Sequence, residues 1–392
     1  MVQAAQRVLH FTESVIREVT RWADESGALN LAQGFPDYDP PALVLQAAQR
    51  AIASGENQYS VTWGDPRLRE AIARKVSRFW GVPIDPQRHI TVTCGATEGV
   101  AASLLAVLNP GDEVVLFEPF YENYLPVSHL AGATAKFVRL APPDYRIEED
   151  ALRAAITPRT RALVLNTPGN PTGHVLSAEE LDAVRQVCLE HDLILITDEI
   201  YEHFIYDGRR HIPPATLPDM AERTISVGGL SKTLAITGWR VGYVIAPPEL
   251  SNAVRKVHDF LTVGAPSPLQ VAAAEALNAL PDSYYTELAH TYQAKRDRFV
   301  SLLQQAGFRC RAPEGAYYVM VEAPMLAGLD DTSAARELIR RVGIAAVPGS
   351  SFYETKEAST PGRVPLLRFA FCKKDETLAL VGERLAEMAR AS

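Results

Sequence analysis

Residues 192–203, DLILITDEIYEH, begin with an apolar β-strand that ends at an acid, Asp198. Longer amphipathic segments separate runs of this kind, such as 178–191, where Ser177 offers an N-cap. Strands alternating with helices predict an α/β fold with a mainly parallel central sheet flanked by helices. Ligands of such sheets bind at the carboxyl ends of the strands. The other runs also end in Gly, Pro, Asp or Asn: HITVTCG (89–95), DEVVLFEP (112–119), RALVLNTPG (161–169) and TISVGG (224–229).

The chain changes character near residue 285, and 392 residues exceed the usual size of a single core. A long helical stretch, 291–307, precedes antiparallel-looking strands and a closing helix; the strands are GAYYVMVE (315–322), GIAAVPGSSFY (343–353) and PLLRFAFC (365–372). We therefore predict a second, smaller α+β domain. The predicted division is an N-terminal arm that joins the small domain (1–44), a large domain (45–284) and a small C-terminal domain (285–392).

Composition excludes several classes of protein. The net charge of −8 is spread along the chain, so we expect no nucleic-acid partner. The cysteines lack CxxC spacing, so neither a metal site nor a disulfide framework is indicated. The first 27 residues carry charge throughout, and no stretch reaches 18 uninterrupted apolar residues. We expect a cytoplasmic protein without a membrane partner.

Lys232 stands in SVGGLSKTLAITGWRVGY (226–243), at the carboxyl side of a predicted strand. A Walker phosphate loop needs Gly where Ser231 stands, a dinucleotide fingerprint has a different spacing, and a Ser-x-x-Lys motif needs Ser at Gly229. The surroundings carry little charge, and desolvation lowers the pKa of a lysine. Such an amine can form a Schiff base with an aldehyde, which suggests pyridoxal phosphate as the cofactor.

That cofactor needs a carboxylate at its pyridine nitrogen and donors for its ring oxygen. Asp198 can supply the carboxylate, although an acid after a strand can also be a helix cap. Tyr201, one predicted helical turn further, and Asn170 in NTPGNPTG can supply the donors. NPTG can equally be a simple turn.

The cofactor also needs a phosphate site, and the substrate needs a carboxylate site. TVTCGATEG turns a strand into a helix, so the N–H groups of residues 95–97 (Gly95, Ala96 and Thr97) can face an anion, and Arg240 adds a fixed charge. Tyr121 can stack on the cofactor ring or simply pack. Arg368 lies in an apolar strand, where it can bind a substrate carboxylate or lie on the exposed face of an edge strand.

Taken together, these residues resemble the class I/II aminotransferases, which are fold-type I pyridoxal phosphate enzymes. The resemblance covers almost the whole chain through GFPD, NQY, GATE, EPFY, NTPGNPTG, DEIYE, SK-x5-GWR-x-G, VPGSSF and RFAF. It implies that Lys232 binds the cofactor covalently, Asp198 pairs with the pyridine nitrogen and Arg368 binds the substrate α-carboxylate. It also implies that Tyr201 and Asn170 bind the ring oxygen of the cofactor and that Tyr121 lies against its ring. The cofactor phosphate would be bound by Arg240 with Gly95, Ala96 and Thr97. Gly34 would close over the substrate.

The resemblance also implies a homodimer with shared active sites, because Tyr59 matches a tyrosine that reaches the phosphate of the neighbouring subunit. One residue departs from the family pattern. Many members carry Ser three residues before the lysine, where it binds phosphate, and this chain has Gly229. We expect Ser231 or water to replace that contact and cofactor retention to be somewhat weaker.

The motif sequences are similar to those of kynurenine, glutamine and methionine aminotransferases. They are also similar to those of succinyldiaminopimelate aminotransferases and of aspartate or aromatic aminotransferases. No arginine stands in LTVGAPSPLQ (261–270) to bind a second carboxylate. An apolar or aromatic substrate pocket is therefore expected, unless its candidate residues belong to the core. These candidates are Phe35, Tyr38, Trp63, Tyr124 and Tyr317.

The predicted reaction is a ping-pong transamination between an L-amino acid and a 2-oxo acid, with Lys232 as general base. A cysteine-conjugate β-lyase would use the same residues and release pyruvate without an oxo-acid acceptor. A regulator that keeps this fold for effector binding would need a DNA-binding module ahead of it, and the family pattern begins too early to leave room.

Overall fold

The computed structural model describes residues 5–9, 11–355 and 364–391. Its helices are α1 Val15–Ser26, α2 Ala42–Ala53, α3 Pro66–Trp80, α4 Gly95–Val107, α5 Tyr124–Leu130, α6 Glu149–Ala155, α7 Ala178–Glu190, α8 Pro248–Thr262, α9 Ser267–Ala279, α10 Ser283–Gln305, α11 Asp331–Val342 and α12 Asp375–Ala391. Its strands are β1 Leu29–Asn30, β2 Ile90–Thr93, β3 Glu113–Glu118, β4 Thr134–Arg139, β5 Thr160–Asn166, β6 Ile194–Asp198, β7 Thr224–Gly229, β8 Gly242–Ile245, β9 Arg309–Cys310, β10 Tyr318–Glu322, β11 Ile344–Ala345, β12 Val347–Pro348 and β13 Leu366–Ala370.

A seven-stranded sheet in the order β2-β8-β7-β6-β5-β3-β4 forms the centre of the molecule. The strands β4, β3, β5, β6 and β7 run parallel, and β8 is antiparallel to both of its neighbours. The predicted α/β class and mainly parallel sheet are confirmed. The carboxyl ends of β5, β6 and β7 therefore lie at one edge of the sheet, which brings together the segments after Asn166, Asp198 and Gly229.

Successive residues of the central strands face opposite layers, as the period of two of a β-strand requires. On β6, Ile196 packs in the cluster that contains α4, whereas Leu195 packs in the cluster that contains α7. Both residues are buried. This double burial explains why the strands are apolar throughout rather than alternating.

Helix α7 begins where the sequence predicts it. Ser177 accepts a hydrogen bond from the backbone of Glu180, and the Glu180 side chain accepts one from Ser177, which completes a capping box. The predicted apolar face is buried against the sheet. It consists of Leu181, Val184, Val187 and Cys188.

A four-stranded antiparallel sheet, in the order β12-β13-β10-β9, packs with α10, α11 and α12. The predicted strand 343–353 forms only β11 and β12, because Pro348 has no N–H for a ladder and residues 349–352 form a 3-10 turn. β11 also pairs in parallel with β1 of the N-terminal segment, not antiparallel as expected. The predicted boundary at 284/285 falls inside α10, and the division into domains stays a prediction. Residues 1–4, 10, 356–363 and 392, which belong to the predicted arm and small domain, lie outside the described residues.

Three further findings concern the described part of the chain only. No helix in it is long and apolar enough to cross a membrane. It contains no group of His, Cys, Asp and Glu side chains that could hold a metal ion. All four cysteines are free.

Candidate active site

Lys232 lies in the turn that follows β7. Its side chain is partly buried, and Nζ donates a hydrogen bond of 2.9 Å to the Gly34 carbonyl and lies 5.7 Å from the centre of the Tyr317 ring. Burial lowers the pKa of Lys232 to about 8. A substantial part of this amine is therefore neutral near pH 8, and the neutral amine is the nucleophilic form.

Asp198 ends β6 and is buried. Its carboxylate accepts a hydrogen bond of 2.7 Å from the Tyr124 hydroxyl and a longer one of 3.3 Å from the Ile200 backbone. Burial raises the pKa of Asp198 to about 6, because no cation within the described residues forms an ion pair with it. The side chain is thus a desolvated acid that a cationic ring nitrogen would stabilise.

Tyr201 lies close to this acid in a turn, 200–203, rather than in the predicted helical segment. The turn forms because Phe204 donates its backbone N–H to the Tyr201 carbonyl. The Tyr201 hydroxyl pairs with that of Tyr318 at 2.9 Å. Burial raises the pKa of Tyr201 well above its usual value, so the phenol keeps its proton and can donate it to a ligand oxygen.

The N-terminus of α4 and Arg240 form one anion-binding corner. Gly95 has φ +80°, and a Cβ at this position would lie 2.3 Å from Arg240 Nη2, so only glycine admits the guanidinium here. A Cβ at Gly242 would lie 2.4 Å from the Gly95 carbonyl carbon, so β8 packs closely against the N-terminus of α4. The N–H groups of the first turn, Gly95 to Thr97, have no acceptor inside the helix. This corner combines free donors with a fixed positive charge.

Arg368 is fully buried in β13, which lies between β12 and β10. The alternative that it occupies an exposed face of an edge strand is therefore wrong. Nη1 donates to Asn170 Oδ1 at 2.8 Å, Nη2 donates to the Ala32 carbonyl, and the guanidinium lies 4.2 Å from the centre of the Tyr318 ring. Its Nε has no hydrogen-bond partner among the described residues. A buried, uncompensated guanidinium with a free donor is suited to a carboxylate ligand.

Gly34 joins these elements. Its carbonyl accepts hydrogen bonds from Lys232 Nζ and from the Tyr317 hydroxyl at 3.0 Å. A Cβ at this position would lie 1.9 Å from the Tyr318 hydroxyl, so any other residue would displace that ring. The N-terminal loop therefore lies directly over the lysine.

The remaining predicted residues lie in different places. Tyr121 packs edge-to-face on Tyr124, with ring centres 5.7 Å apart, and so lines the Asp198 side of the site. Tyr38 hydrogen-bonds to Tyr292, and Lys373 lies over the ring of Phe35. Trp63 lies between Arg69 and Arg255, in contact with neither Lys232 nor Arg368. Of the five predicted pocket aromatics, Tyr124 and Tyr317 are the ones that contact predicted site residues.

Tyr59 and the residues near Lys232 complete the predicted set. Tyr59 is 88% exposed, and no hydrogen bond joins it to a described residue of its own chain. Ser231 is buried next to Lys232. A Cβ at Gly229 would lie 2.7 Å from Ile200 Cδ1, so the serine that the family pattern predicts here would require Ile200 to move. The expected effect of Gly229 on cofactor retention stays a prediction.

Sequence reasoning missed two contacts of this site. Tyr318 bonds Tyr201 and covers Arg368, and Tyr124 bonds Asp198 rather than only lining a pocket. The signal for Tyr124 was its place in YENY, three residues after Tyr121. Nothing local singled out Tyr318, because it reaches the site through the pairing of β10 with β13.

Known proteins resemble this chain over nearly all of its length. The family model described as aminotransferase class I and II matches residues 26–385. A probable N-succinyldiaminopimelate aminotransferase of Mycobacterium tuberculosis is 42% identical over 98% of each chain. The methionine aminotransferase of Escherichia coli is 36% identical over 96% of each, and human kynurenine–oxoglutarate transaminase 1 is 35% identical over 94% of each.

Solved structures give the same result. The N-succinyldiaminopimelate aminotransferase of Mycobacterium tuberculosis superposes with a TM-score of 0.93 at 41% identity, over 98% of this chain and 100% of that one. An aspartate aminotransferase of Thermus thermophilus superposes with a TM-score of 0.89 at 33% identity, over 99% and 100%.

Proposed function

Because the chain belongs to the class I and II aminotransferases, which depend on pyridoxal phosphate, we propose that Lys232, Asp198 and Arg368 form its active centre. The enzyme transfers an amino group from an L-amino acid to a 2-oxo acid. We further propose that the preferred donor has an apolar or aromatic side chain. The single observation that carries the assignment of the site is Arg368, a buried guanidinium with a free Nε and no acidic partner within the described residues.

The residues fit the cofactor. Asp198 is a buried acid that forms no ion pair within the described part of the chain, and Lys232 is a desolvated amine. The corner of Gly95 and Arg240 has free donors for a phosphate. Binding of the cofactor would pair each of these groups and so remove the free-energy cost of leaving a buried charge or donor unpaired. We propose that Asn170 and Tyr201 donate to the ring oxygen and that Tyr121 covers the ring. Ala96, Thr97 and Ser231 would lie at the phosphate.

Pyridoxal phosphate, when bound, supplies the electron sink that makes the substrate Cα acidic. The chain supplies position and proton transfer. Arg368 would hold the α-carboxylate in bidentate fashion, which fixes the Cα–H bond relative to Lys232. Lys232 Nζ would then remove the Cα proton as a general base, which its lowered pKa favours. Gly34, directly above Nζ, would exclude water while the proton is held.

The preference for an uncharged donor rests on the surroundings of Arg368. Its guanidinium lies 4.2 Å from the centre of the Tyr318 ring and 4.9 Å from that of Phe352, so its neighbours are aromatic. The second candidate donor is N-succinyldiaminopimelate. The observation that favours it is the 42% identity to a probable N-succinyldiaminopimelate aminotransferase over 98% of each chain.

An exposed apolar surface supports the proposal of a homodimer with shared sites. Tyr59 is one of its residues. The Tyr59 loop is tied to α8 by the hydrogen bond from His258 to the Thr62 carbonyl, and to the start of α9 by the hydrogen bond from the Ser60 backbone to Ser267. Phe260 is 91% exposed, which is costly unless another surface covers it. The other exposed members are Val61, Leu261 and Val263. We also propose a cytoplasmic location, which the four free cysteines support.

The test is the near-visible absorption spectrum of the purified enzyme before and after addition of single amino acids. Methionine, kynurenine, glutamine, aspartate and N-succinyldiaminopimelate are each added without an oxo acid. We expect the band of the lysine-bound cofactor to convert to that of the aminated cofactor with an apolar or aromatic donor. Conversion by N-succinyldiaminopimelate alone would assign the second candidate, and absence of the band after adding pyridoxal phosphate would contradict the role of Lys232. Pyruvate release from a cysteine conjugate without acceptor would indicate β-lyase activity.

A further inference from the structure

His258, on α8, is a fully buried histidine outside the residues assigned above. Its Nδ1 lies 2.8 Å from Glu98 Oε1, and its Nε2 donates to the Thr62 carbonyl at 2.8 Å. The ring therefore joins three segments: α8, the first turns of α4, and the loop that carries Tyr59.

The polar contacts determine the charge of the ring. Thr262 Oγ1 also lies 3.2 Å from Nδ1, and because it donates to the His258 carbonyl it can accept from the ring. A carboxylate and a carbonyl oxygen are both acceptors, so each ring nitrogen carries a proton. Burial by itself would lower the pKa of His258, but the hydrogen bond and the negative charge of Glu98 outweigh it and raise the pKa. His258 and Glu98 therefore form a buried ion pair.

Glu98 acts on the proposed phosphate site directly. Its other oxygen, Oε2, accepts the backbone N–H of Cys94 at 2.7 Å, which fixes the residue that caps α4. The next N–H groups, from Gly95 to Thr97, are then left for the phosphate. Without compensation, however, a carboxylate within one turn of this corner would repel a phosphate.

The Thr62 contact reaches the neighbouring site. Thr62 lies three residues after Tyr59, and the same loop donates from the Ser60 backbone to Ser267 at 3.0 Å. A Cβ at Gly264 would contact the Thr62 carbonyl at 3.6 Å, so this loop packs on the end of α8. Loss of the His258 hydrogen bond would free the loop on the side that carries Tyr59.

We infer that His258 is a positioning residue for cofactor phosphate: it neutralises Glu98 beside the phosphate of its own site and holds the loop that presents Tyr59 to the partner subunit's site. This inference rests on the proposed function. In a dimer, the His258–Glu98 ion pair would then align the groups that bind cofactor phosphate in both active sites.

The experiment compares His258→Gln with wild-type holoenzyme, using pyridoxal phosphate and pyridoxal as probes. The dissociation constant of each is followed by the band of the lysine-bound cofactor. We expect His258→Gln to weaken the binding of pyridoxal phosphate by about tenfold, or about 1.4 kcal/mol, because it leaves a buried charged group unpaired next to the phosphate. The binding of pyridoxal should stay unchanged. Equal weakening of both probes would overturn the inference.

The matched control is His174→Gln. His174 is also held between two acceptors, Glu180 and Glu314, but it contacts no residue of the phosphate corner. His174→Gln should change the dissociation constants of pyridoxal phosphate and pyridoxal by the same factor. If His174→Gln reproduced the phosphate-selective loss, the effect would be one of general stability and the inference would fail.

Glu98→Gln keeps an oxygen for the Cys94 N–H and removes the negative charge. We expect it to hold pyridoxal phosphate at least as tightly as wild type, and the double variant His258→Gln/Glu98→Gln to hold it more tightly than His258→Gln alone. The single variant Glu98→Gln tests the charge argument even if His258→Gln fails to fold. Phosphate-selective loss in Glu98→Gln would contradict it.

Tyr59→Phe tests the link to the partner subunit. If His258 positions Tyr59, the two substitutions are less than additive, and full additivity would overturn this half of the inference. Failure of the proposed function gives a different result, because the wild-type protein would then bind neither pyridoxal phosphate nor pyridoxal at Lys232.

Discussion

Two groups of buried charges lie near the end of β6 and differ in how their charges are compensated. The open cluster, defined as Lys232, Asp198 and Arg368, forms no ion pair among the described residues. The paired network, defined as Lys75, Glu202 and Tyr243, joins a buried ammonium to a buried carboxylate, and the Tyr243 hydroxyl donates to the same carboxylate at 3.1 Å. Both groups place charges in the interior of the protein, but only the paired network neutralises them with an ion pair.

The pKa values separate the two groups in the same way. In the open cluster burial prevails, raising the pKa of Asp198 to about 6 and lowering that of Lys232 to about 8. In the paired network burial alone would raise the pKa of Glu202, but the charges and the hydrogen bond of its neighbours, Lys75 first among them, together outweigh it and lower the pKa to about 2. This contrast supports the proposal that the open cluster is a ligand site, whereas the paired network stabilises the fold.

The largest expected effect comes from the open cluster. Lys232→Ala removes the residue proposed both to bind the cofactor covalently and to act as general base, so turnover should fall by roughly 10⁴-fold or more. The thermal unfolding midpoint of the cofactor-free protein should change little, because the lost ammonium forms no ion pair among the described residues and gives up only its hydrogen bond to the Gly34 carbonyl. Single-turnover kinetics and differential scanning calorimetry measure the two effects. Normal turnover would contradict the assignment of Lys232.

Arg368→Met breaks the open cluster at its substrate end. We expect kcat/KM for the amino donor to fall by about 10³-fold, or about 4 kcal/mol, since a carboxylate would lose its charged partner in a desolvated site. Stability should stay equal or rise, because Met is similar in length and carries no charge to desolvate. A large loss of stability with unchanged kcat/KM would place Arg368 in the same class as the paired network.

Glu202→Gln breaks the paired network and should lower stability while leaving activity nearly unchanged, the reverse of the effects expected for the open cluster. It leaves the Lys75 ammonium buried without a counter-charge, which costs about 3–4 kcal/mol of stability. The thermal midpoint should fall while KM for the amino donor stays close to wild type. The double variant Lys75→Met/Glu202→Gln should recover most of the midpoint, and a double variant no more stable than Glu202→Gln would refute the pairing argument.

The smallest effect is a pH dependence in a second paired group, His174 with Glu180 and Glu314. Burial alone would lower the pKa of His174, but the hydrogen bonds that its ring donates to the two carboxylates, together with their charges, outweigh it and raise the pKa to about 9. The folded pKa exceeds the unfolded one, so this stabilisation is complete below pH 6.5 and is lost as pH rises through 9; it amounts to at most about 3 kcal/mol. The midpoint difference between wild type and His174→Gln should shrink over that window, and a constant difference would exclude the ion pair.

The strands and helix starts could be predicted from local sequence. Apolar runs ending in turn residues located β2, β3, β5, β6 and β7, and the Ser177 capping box located α7. The site was predictable in part, because Lys232, Asp198, Asn170 and Arg368 are unusual residues at strand ends or in an apolar strand. Tyr201, in contrast, lies in a turn rather than the predicted helical segment, because the hydrogen bonds after β6 close locally.

The sequence by itself determined the fold class, the order of the elements and the residue types that carry the chemistry, because periodicity and capping act over a few neighbouring residues. The tertiary structure alone decided which buried charges have partners. Tyr124 reaches Asp198 across 74 positions, Arg368 reaches Asn170 across 198, and His258 reaches Glu98 across 160. Such pairs form only when the sheet and its helices pack, so no local pattern specifies whether a buried charge is left open or neutralised.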